Sequence, residues 1–326
     1  MRAAWYEKQG TPDVLVVGDM PDPAPGPGEV RIRVSASGIN PGDLKKREDA
    51  FGYGMPYPRV VPHSDGAGVV DQLGEGVPAN RLGQRVWCFG AQSYRPFGTA
   101  AQYVVVPAQQ AMLLPDTVDF VTGACLGIPA LTAHRAVHAG GPVAGRQVLV
   151  QGGAGGVGSF AVGFARRAGA QVIATVRSAQ DEDAARKAGA HHAVRTDALA
   201  PADVVAQVRM LAPEGVHHLV EVAFDANIGM DEQVLAVGGS IAAYATGAAR
   251  PEIPFWQLLF KNARILLLGS DDFPLDAKLA AAREATDMLA AGWQGIRIDK
   301  RFALDDIAAA HRYADARPRG RVLLEV

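Results

Sequence analysis

The stretch VLVQGGAGGVGSFAVGFARRAGAQVIATVRS, from Val148 to Ser178, decides the fold. It runs from an apolar segment through a burst of glycine and a small-residue helical pattern to a second apolar segment. A strand is predicted over 148–151, a helix over 156–168 and a second strand over 171–176. Glycine at this density costs backbone entropy, so something between the strand and the helix must need bare backbone. Gly153-x-Gly155-x-x-Gly158 has the spacing of a dinucleotide-binding turn, and its context adds specificity: a strand precedes it, a helix follows, and the second strand ends about 20 residues on. A helix N-terminus offers unpaired N–H groups and the positive end of its dipole to a pyrophosphate, and side chains there would hold the phosphate away.

The second strand ends Ala174-Thr175-Val176-Arg177-Ser178. An acid at this point would accept from the adenosine ribose 2′-hydroxyl and select NAD, and none is present. Arg177 is suited instead to a 2′-phosphate and Ser178 can donate to it, so NADP(H) is the expected cofactor. Alternatively Arg177 is a solvated charge and Ser178 only caps the next helix, since Ser178-x-x-Asp181 resembles a capping box. Asp181, Glu182 and Asp183 would oppose a phosphate nearby.

Working outward, strand and helix patterns keep alternating. A helix is predicted over 181–188, a strand at HHLVEVA (217–223), a helix over 227–239 and a strand over 240–246. This is βαβ alternation, which implies a parallel sheet covered on both faces. On the N-terminal side, residues 119–140 read as helix, with Pro129 where a helix can begin. Before them the chain is β-rich: EVRIRVSASGIN alternates Val30, Ile32 and Val34 with Arg31, Arg33 and Ser35, the period of a half-buried strand. Short strands with glycine and proline punctuation suggest a barrel-like domain. Beyond the alternating region, a helix near 275–290 leads to strands in IRIDKRFAL and GRVLLEV that can return to the first domain. A nucleotide-type domain thus lies within a split β domain.

The 326 residues suffice for two domains, and 48% hydrophobic with 20% charged residues is an ordinary globular composition. The net charge of −2 gives no support to a nucleic-acid partner or an anionic membrane. No stretch is apolar enough to span a bilayer. The two cysteines, Cys88 and Cys125, form no CxxC pair, so a disulfide framework is not expected and the cytoplasm is the expected compartment.

Several segments occur together in one order: PGPGEVRIRVSASGINPGDLKKR (25–47), HSDGAGVV (63–70), GTAAQYVVVP (98–107), LGIPALTAHRAV (126–137), VLVQGGAGGVG (148–158) and GRVLLEV (320–326). With these the chain resembles the quinone oxidoreductase/zeta-crystallin branch of the zinc-free medium-chain dehydrogenases/reductases over nearly its whole length. The resemblance implies an α/β chain: a GroES-like β-barrel-type domain at 1–122 and 271–326, with a Rossmann-type doubly wound parallel-sheet domain inserted at 123–270. The zinc enzymes of this fold carry a cysteine shortly after the strand at 30–35 and a histidine in a Gly-His-Glu motif. Here those regions read Gly38-Ile39-Asn40-Pro41 and His63-Ser64-Asp65, and the four-cysteine zinc loop is missing. No metal is therefore expected, and His63 is read as a packing or hydrogen-bonding residue.

By position, the resemblance assigns Gly155, Gly156, Val157 and Gly158 to the pyrophosphate and Arg177 and Ser178 to the 2′-phosphate. Arg195 and Thr196 fall beside the adenine, and Ala223 and Phe224 at the end of the fourth strand. Tyr244, Ala245 and Thr246 fall by the nicotinamide ribose, and Leu268, Gly269 and Ser270 by the carboxamide. Many relatives have tyrosine where Lys45 stands, and the usual VGS turn is replaced by Tyr244-Ala245-Thr246-Gly247. The trio Lys45, Lys46 and Arg47 reads as a solvated basic run.

Without zinc there is no Lewis acid to polarise a carbonyl, so hydride must go to an acceptor that is already electrophilic. Quinones and α,β-unsaturated carbonyls qualify, and such a site needs orientation and one or two hydrogen-bond donors. Asn40 is the expected donor, with Lys45 second; Phe51, Tyr53 and Thr132 are expected to line an apolar pocket at the domain cleft. The expected activity is NADPH-dependent reduction of a quinone or related conjugated carbonyl. The alternatives are an enoyl or alkenal double-bond reductase and a noncatalytic NADPH-binding protein of the crystallin or RNA-binding kind. A homodimer through the central domain is also expected, because the apolar stretches 253–260 and 263–269 would leave a long bare edge strand.

Overall fold

The computed structural model describes residues 1–326. The chain divides into two compact units, one built from Met1–Ile128, Lys278–Gly292 and Ile296–Val326, the other from Pro129–Ala277 and Trp293–Gly295.

The first unit holds strands β1 (Arg2–Trp5), β2 (Val16–Asp19), β3 (Glu29–Gly38), β4 (Asp65–Leu73), β5 (Arg85–Cys88), β6 (Tyr103–Pro107) and β7 (Ala111–Leu113), with helices α1 (Pro41–Glu48) and α2 (Phe120–Gly123). Val30, Ile32 and Val34 of β3 are buried, as their alternation predicts. β3 is the hub, pairing antiparallel with both β4 and β6. Two apolar clusters fill this unit, one around Val30, Ile32, Val86 and Val104, the other around Tyr6, Val60, Ile307 and Leu324.

Helix α3 (Gly127–His138) leads into the second unit, whose strands are β8 (Gln147–Val150), β9 (Gln171–Val176), β10 (His192–Arg195), β11 (Val216–Glu221), β12 (Leu235–Ala243) and β13 (Arg264–Leu267). They form one parallel sheet in the order β10-β9-β8-β11-β12-β13. Counted from β8, this is the 3-2-1-4-5-6 order of a Rossmann-type sheet, with its switch point between β8 and β11. The helices are α4 (Gly156–Arg167), α5 (Ala179–Ala188), α6 (Pro201–Leu211), α7 (Phe224–Val234) and α8 (Phe255–Phe260). Leu149, Ile173, Leu219 and Ile241 meet in its core. The chain then runs through α9 (Leu275–Ala290), β14 (Ile298–Ala303), α10 (Ile307–Asp315) and β15 (Arg321–Glu325). β15 pairs antiparallel with β3, so GRVLLEV does return to the first sheet.

Three local expectations are corrected. Residues 119–140 form two helices, α2 and α3, rather than one. The helix predicted over 227–239 ends at Val234, and Leu235 already pairs with Val216 of β11. The apolar stretch 253–260 is the short helix α8, not an edge strand, and only Arg264–Leu267 forms the edge of the sheet. In each case tertiary pairing or a chain reversal cuts the local pattern short.

Candidate active site

The turn after β8 explains its own glycines. Gly152 has φ +66°, and a Cβ on Gly158 would lie 2.1 Å from the Gly152 carbonyl oxygen. A Cβ on Gly153 would lie 2.6 Å from the Cβ of Ala174 on β9. Gly153 and Gly158 are thus bare so that helix, turn and second strand can close on each other. Gly155 and Gly156 are bare for another reason: both are exposed at the start of α4. Gly155 is the N-cap residue and supplies no side-chain cap, leaving the first amides of the helix, Gly156 and Val157 among them, without an intrahelical partner. A pyrophosphate fits an exposed, uncapped helix start of this kind. The turn is held from behind by Thr175, whose hydroxyl accepts from the Gly152 N–H at 3.0 Å and whose carbonyl accepts from Gly153 N–H at 2.9 Å.

Arg177, just past the end of β9, is exposed, and its guanidinium has no hydrogen-bond or ion-pair partner. Arg195 differs: both its Nε and Nη2 donate to Asp197, the shorter bond at 2.8 Å. Thr196 donates through its hydroxyl to the Val176 carbonyl at 3.1 Å, which puts it beside Arg177. Ser178 is the N-cap of α5, its Oγ accepting from Asp181 N–H at 3.1 Å, and its own hydroxyl proton remains available. Of the three acids that follow, Glu182 is paired with Arg186 at 2.9 Å.

The ends of β11 and β12 come together. Ala223 and Phe224 do not end a strand; Ala223 caps α7 and Phe224 begins it. Phe224 N–H donates to the Ala245 carbonyl at 3.1 Å. Asp225 ties down the turn after β12, accepting from Gly247 N–H at 2.8 Å and from the Thr246 hydroxyl at 3.2 Å. Burial and the charge of Glu221 raise the phenol of Tyr244. Leu268 N–H donates to the Ala243 carbonyl at 2.9 Å, Gly269 follows it exposed, and Ser270 starts a short 3-10 turn. Asp225 lies outside the glycine motif and ahead of the helix expected at 227–239, so the sequence motifs do not single it out.

In the other unit, Asn40 begins α1 and is buried. Its Nδ2 donates to Asp65 Oδ2 at 2.7 Å, and the same carboxylate accepts from Ile128 N–H. Asn40 Oδ1 is buried with no partner, as is Ser64 Oγ. Asp43 closes the start of α1 by accepting from Asn40 N–H at 2.7 Å. Lys45 is half-buried, with its Nζ 5.9 Å from the centre of the Phe51 ring, and Phe51 stacks on the exposed Tyr53 at 6.1 Å. Thr132, which belongs to the sheet unit, is buried on α3.

The basic run is not uniformly solvated: Arg47 is fully buried. Its Nη1 donates to His311 Nδ1 at 2.9 Å. A guanidinium can only donate, which fixes every later proton in the series. His311 Nε2–H donates to His63 Nε2 at 2.9 Å, His63 Nδ1–H to the Ser37 hydroxyl at 2.8 Å, Ser37 to Thr99 at 2.7 Å, and Thr99 to the Asp65 carbonyl at 2.7 Å. Burial holds His63 neutral by pushing it down to about 3. His311 is lowered by burial and by its His63 and Arg47 neighbours.

The fold and the bare start of α4 define a dinucleotide-binding protein with a barrel-type companion unit. Residues 26–116 match the alcohol dehydrogenase GroES-like domain, and residues 156–282 match the zinc-binding dehydrogenase domain. The rat (Rattus norvegicus) quinone oxidoreductase is 34% identical over 248 residues, covering 74% of this chain and 72% of that one. A 2-haloacrylate reductase from a Burkholderia species is 31% identical over 335 residues, covering 97% of this chain and 96% of its own. A mycobacterial structure complexed with NADPH is 26% identical, with a TM-score of 0.85 over the whole of both chains. The chain belongs to the quinone oxidoreductase family.

Burial pushes the Asp43 carboxyl up to about 7. In an unfolded chain it would titrate near 3.9, so between about pH 4 and pH 7 the native state holds a proton that the unfolded state has released. Asp43 therefore makes stability fall as pH rises through that window. His63 works in the opposite sense, so the readout is the difference between variant and parent. Asp43→Asn has no proton to lose and should be more stable than the parent at pH 8, by of order 2–4 kcal/mol, with the gap closing toward pH 4. Denaturant titrations at the two pH values measure it, and a gap that does not change with pH contradicts the assignment.

Proposed function

We propose that this chain is an NADPH-dependent oxidoreductase that passes a hydride to a quinone or related conjugated carbonyl without a metal. The observation that carries the proposal is the uncapped start of α4 with the unpaired Arg177 at the end of the neighbouring strand. The amides of Gly156 and Val157 would hold the pyrophosphate, and Arg177, with Ser178, the 2′-phosphate. When bound, NADPH supplies the hydride. Asn40 keeps its second amide hydrogen for the acceptor oxygen, and its unpartnered Oδ1 can accept the O–H of the reduced product. Lys45, which forms no ion pair, is a second donor, and the Phe51–Tyr53 stack suits a flat conjugated ring. An unpaired ammonium also suits an anionic conjugated acid, which keeps a double-bond reductase like the Burkholderia relative as the second reading. Turnover of any such acceptor separates both from a binding-only protein.

The division of labour we propose follows domains at 1–122 with 271–326 and at 123–270. No helix is long and apolar enough to cross a membrane, and Cys88 and Cys125 are free and buried, which supports a reducing, cytoplasmic setting.

Ser64 falls where the zinc enzymes of this fold carry a histidine, and the region Gly38-Ile39-Asn40-Pro41 holds no cysteine. Activity should survive exhaustive chelation, with metal analysis finding no stoichiometric zinc; activity lost on chelation and restored by zinc would overturn this.

A homodimer through the sheet unit is supported by its apolar edge. Trp256, Phe260 and Leu267 are 64%, 74% and 76% exposed, on α8 and on the edge strand β13. Light scattering at micromolar concentration should give a dimer that Trp256→Asp weakens, and a parent that is monomeric contradicts the proposal.

Arg177 offers the sharpest test. A charge-assisted hydrogen bond contributes about 1.5–3 kcal/mol, so Arg177→Ala should weaken NADPH roughly ten- to a hundredfold and leave NADH nearly unchanged. The readout is the ratio of kcat/KM with the two cofactors. Equal use of both by the parent, or an equal loss of both in the variant, would make Arg177 a surface charge.

A further inference from the structure

At the switch point of the parallel sheet, the fold buries two carboxyl groups that lie outside the glycine motif. Glu221 ends β11, Asp231 lies on α7, and neither is exposed. Asp231 Oδ1 accepts from Gln151 Nε2 at 2.7 Å. Gln151 Oε1 accepts from the Thr175 hydroxyl at 2.6 Å, and Thr175 Oγ1 in turn accepts from Gly152 N–H at 3.0 Å. Three bonds thus link Asp231 to the first glycine of the phosphate turn. Glu221 Oε1 accepts from Ala223 N–H and, at 3.0 Å, from Asn227 Nδ2, which fixes the start of α7.

The remaining oxygens, Glu221 Oε2 and Asp231 Oδ2, are buried, and no other residue donates to either. Glu221 is the neighbouring side chain that bears on the Asp231 carboxyl, through both its charge and its hydrogen-bonding group. Two ionised carboxylates have no donor between them, so a hydrogen bond that satisfies both orphan oxygens requires a proton. Without it, two like charges would be buried together with no cation beside them.

We propose that Asp231 is a standing carboxylic acid that donates its proton to Glu221, and that this pair is a positioning element of the cofactor site. It holds the phosphate turn through Gln151 and Thr175 and the start of α7 through Ala223. Desolvation and the neighbouring Glu221 raise the Asp231 carboxyl well above the usual range, in keeping with the geometry. The other titratable group that Glu221 acts on is the Tyr244 phenol at the end of β12, itself raised and neutral. The titratable groups of the pair and its neighbour are therefore one carboxylate, one neutral acid and one neutral phenol.

The inference rests on the proposed function only in that a dinucleotide occupies the turn. The pair acts on the part that NADPH and NADH share, whereas Arg177 acts on the 2′-phosphate alone.

Two measurements on the intact protein test it. Infrared difference spectra of parent against Asp231→Asn at pH 8 should contain the carbonyl stretch of a protonated carboxylic acid, present in the parent and missing from the variant. Dissociation constants for NADPH and NADH, read by cofactor fluorescence, should stay within about twofold in Asp231→Asn, whose amide can donate to Glu221 in the acid's place. In Asp231→Ala both should rise about tenfold, with the KM for the conjugated acceptor unchanged. Absence of the protonated-acid band would overturn the proposal. So would an Asp231→Asn protein that binds as weakly as Asp231→Ala, or an Asp231→Ala protein that binds like the parent. If Asp231→Ala does not fold, the band and the Asp231→Asn affinities still decide. A chain that binds both cofactors alike, yet gives these results, would remove the Arg177 assignment and leave the pair standing.

Discussion

The first amides of α4 have to face outward with nothing over them, and much of the second unit is arranged around that requirement. A helix start left uncapped is a source of instability unless an anion or water completes it. The chain accepts this at α4 while capping α5 a few residues later with Ser178. Two glycines let the turn close, Gly158 against the Gly152 carbonyl and Gly153 against Ala174. Thr175 fastens the turn to the second strand from behind. The 3-2-1-4-5-6 strand order then places the turn beside the end of β11, where Ala223, Phe224 and the Asp225-stapled turn after β12 gather.

Both units build their sites on buried polar groups, by different chemistry. In the barrel unit, Arg47 imposes one direction on a series of hydrogen bonds through His311, His63, Ser37 and Thr99 that ends on the backbone of Asp65, and the side chain of Asp65 holds Asn40. In the sheet unit a carboxyl pair plays the comparable part for the phosphate turn. A buried polar network costs stability whenever a member lacks its partner. Asn40 Oδ1 and Ser64 Oγ, buried without a partner, therefore stand out.

The fold was largely legible in the sequence. Glycine spacing, period-2 alternation in β3 and the return of GRVLLEV to the first sheet each rest on a local pattern with one structural meaning. The short apolar stretch at α8 was less legible, because it has no period to distinguish helix from strand, and the run 234–237 gave no sign of where α7 ends and the next strand begins. The bare start of α4 and the exposed arginine after β9 were readable for the same reason as the fold: glycines, and an arginine in place of an acid, are visible one residue at a time. The supporting groups were not. Arg47 looks like one cation of three, and Gln151, Thr175, Glu221 and Asp231 are scattered over four elements. Only the sheet order brings them together, and nothing in their sequence spacing records it.

The central claim is that this helix start and its neighbouring arginine make a site for NADP(H). Calorimetric titration of the unaltered protein with NADP⁺ and with NAD⁺ tests it most directly, since the two ligands differ only in the 2′-phosphate. The account predicts one site per chain, with NADP⁺ bound at least about tenfold more tightly than NAD⁺. Equal affinity for the two, or tighter binding of NAD⁺, would contradict it.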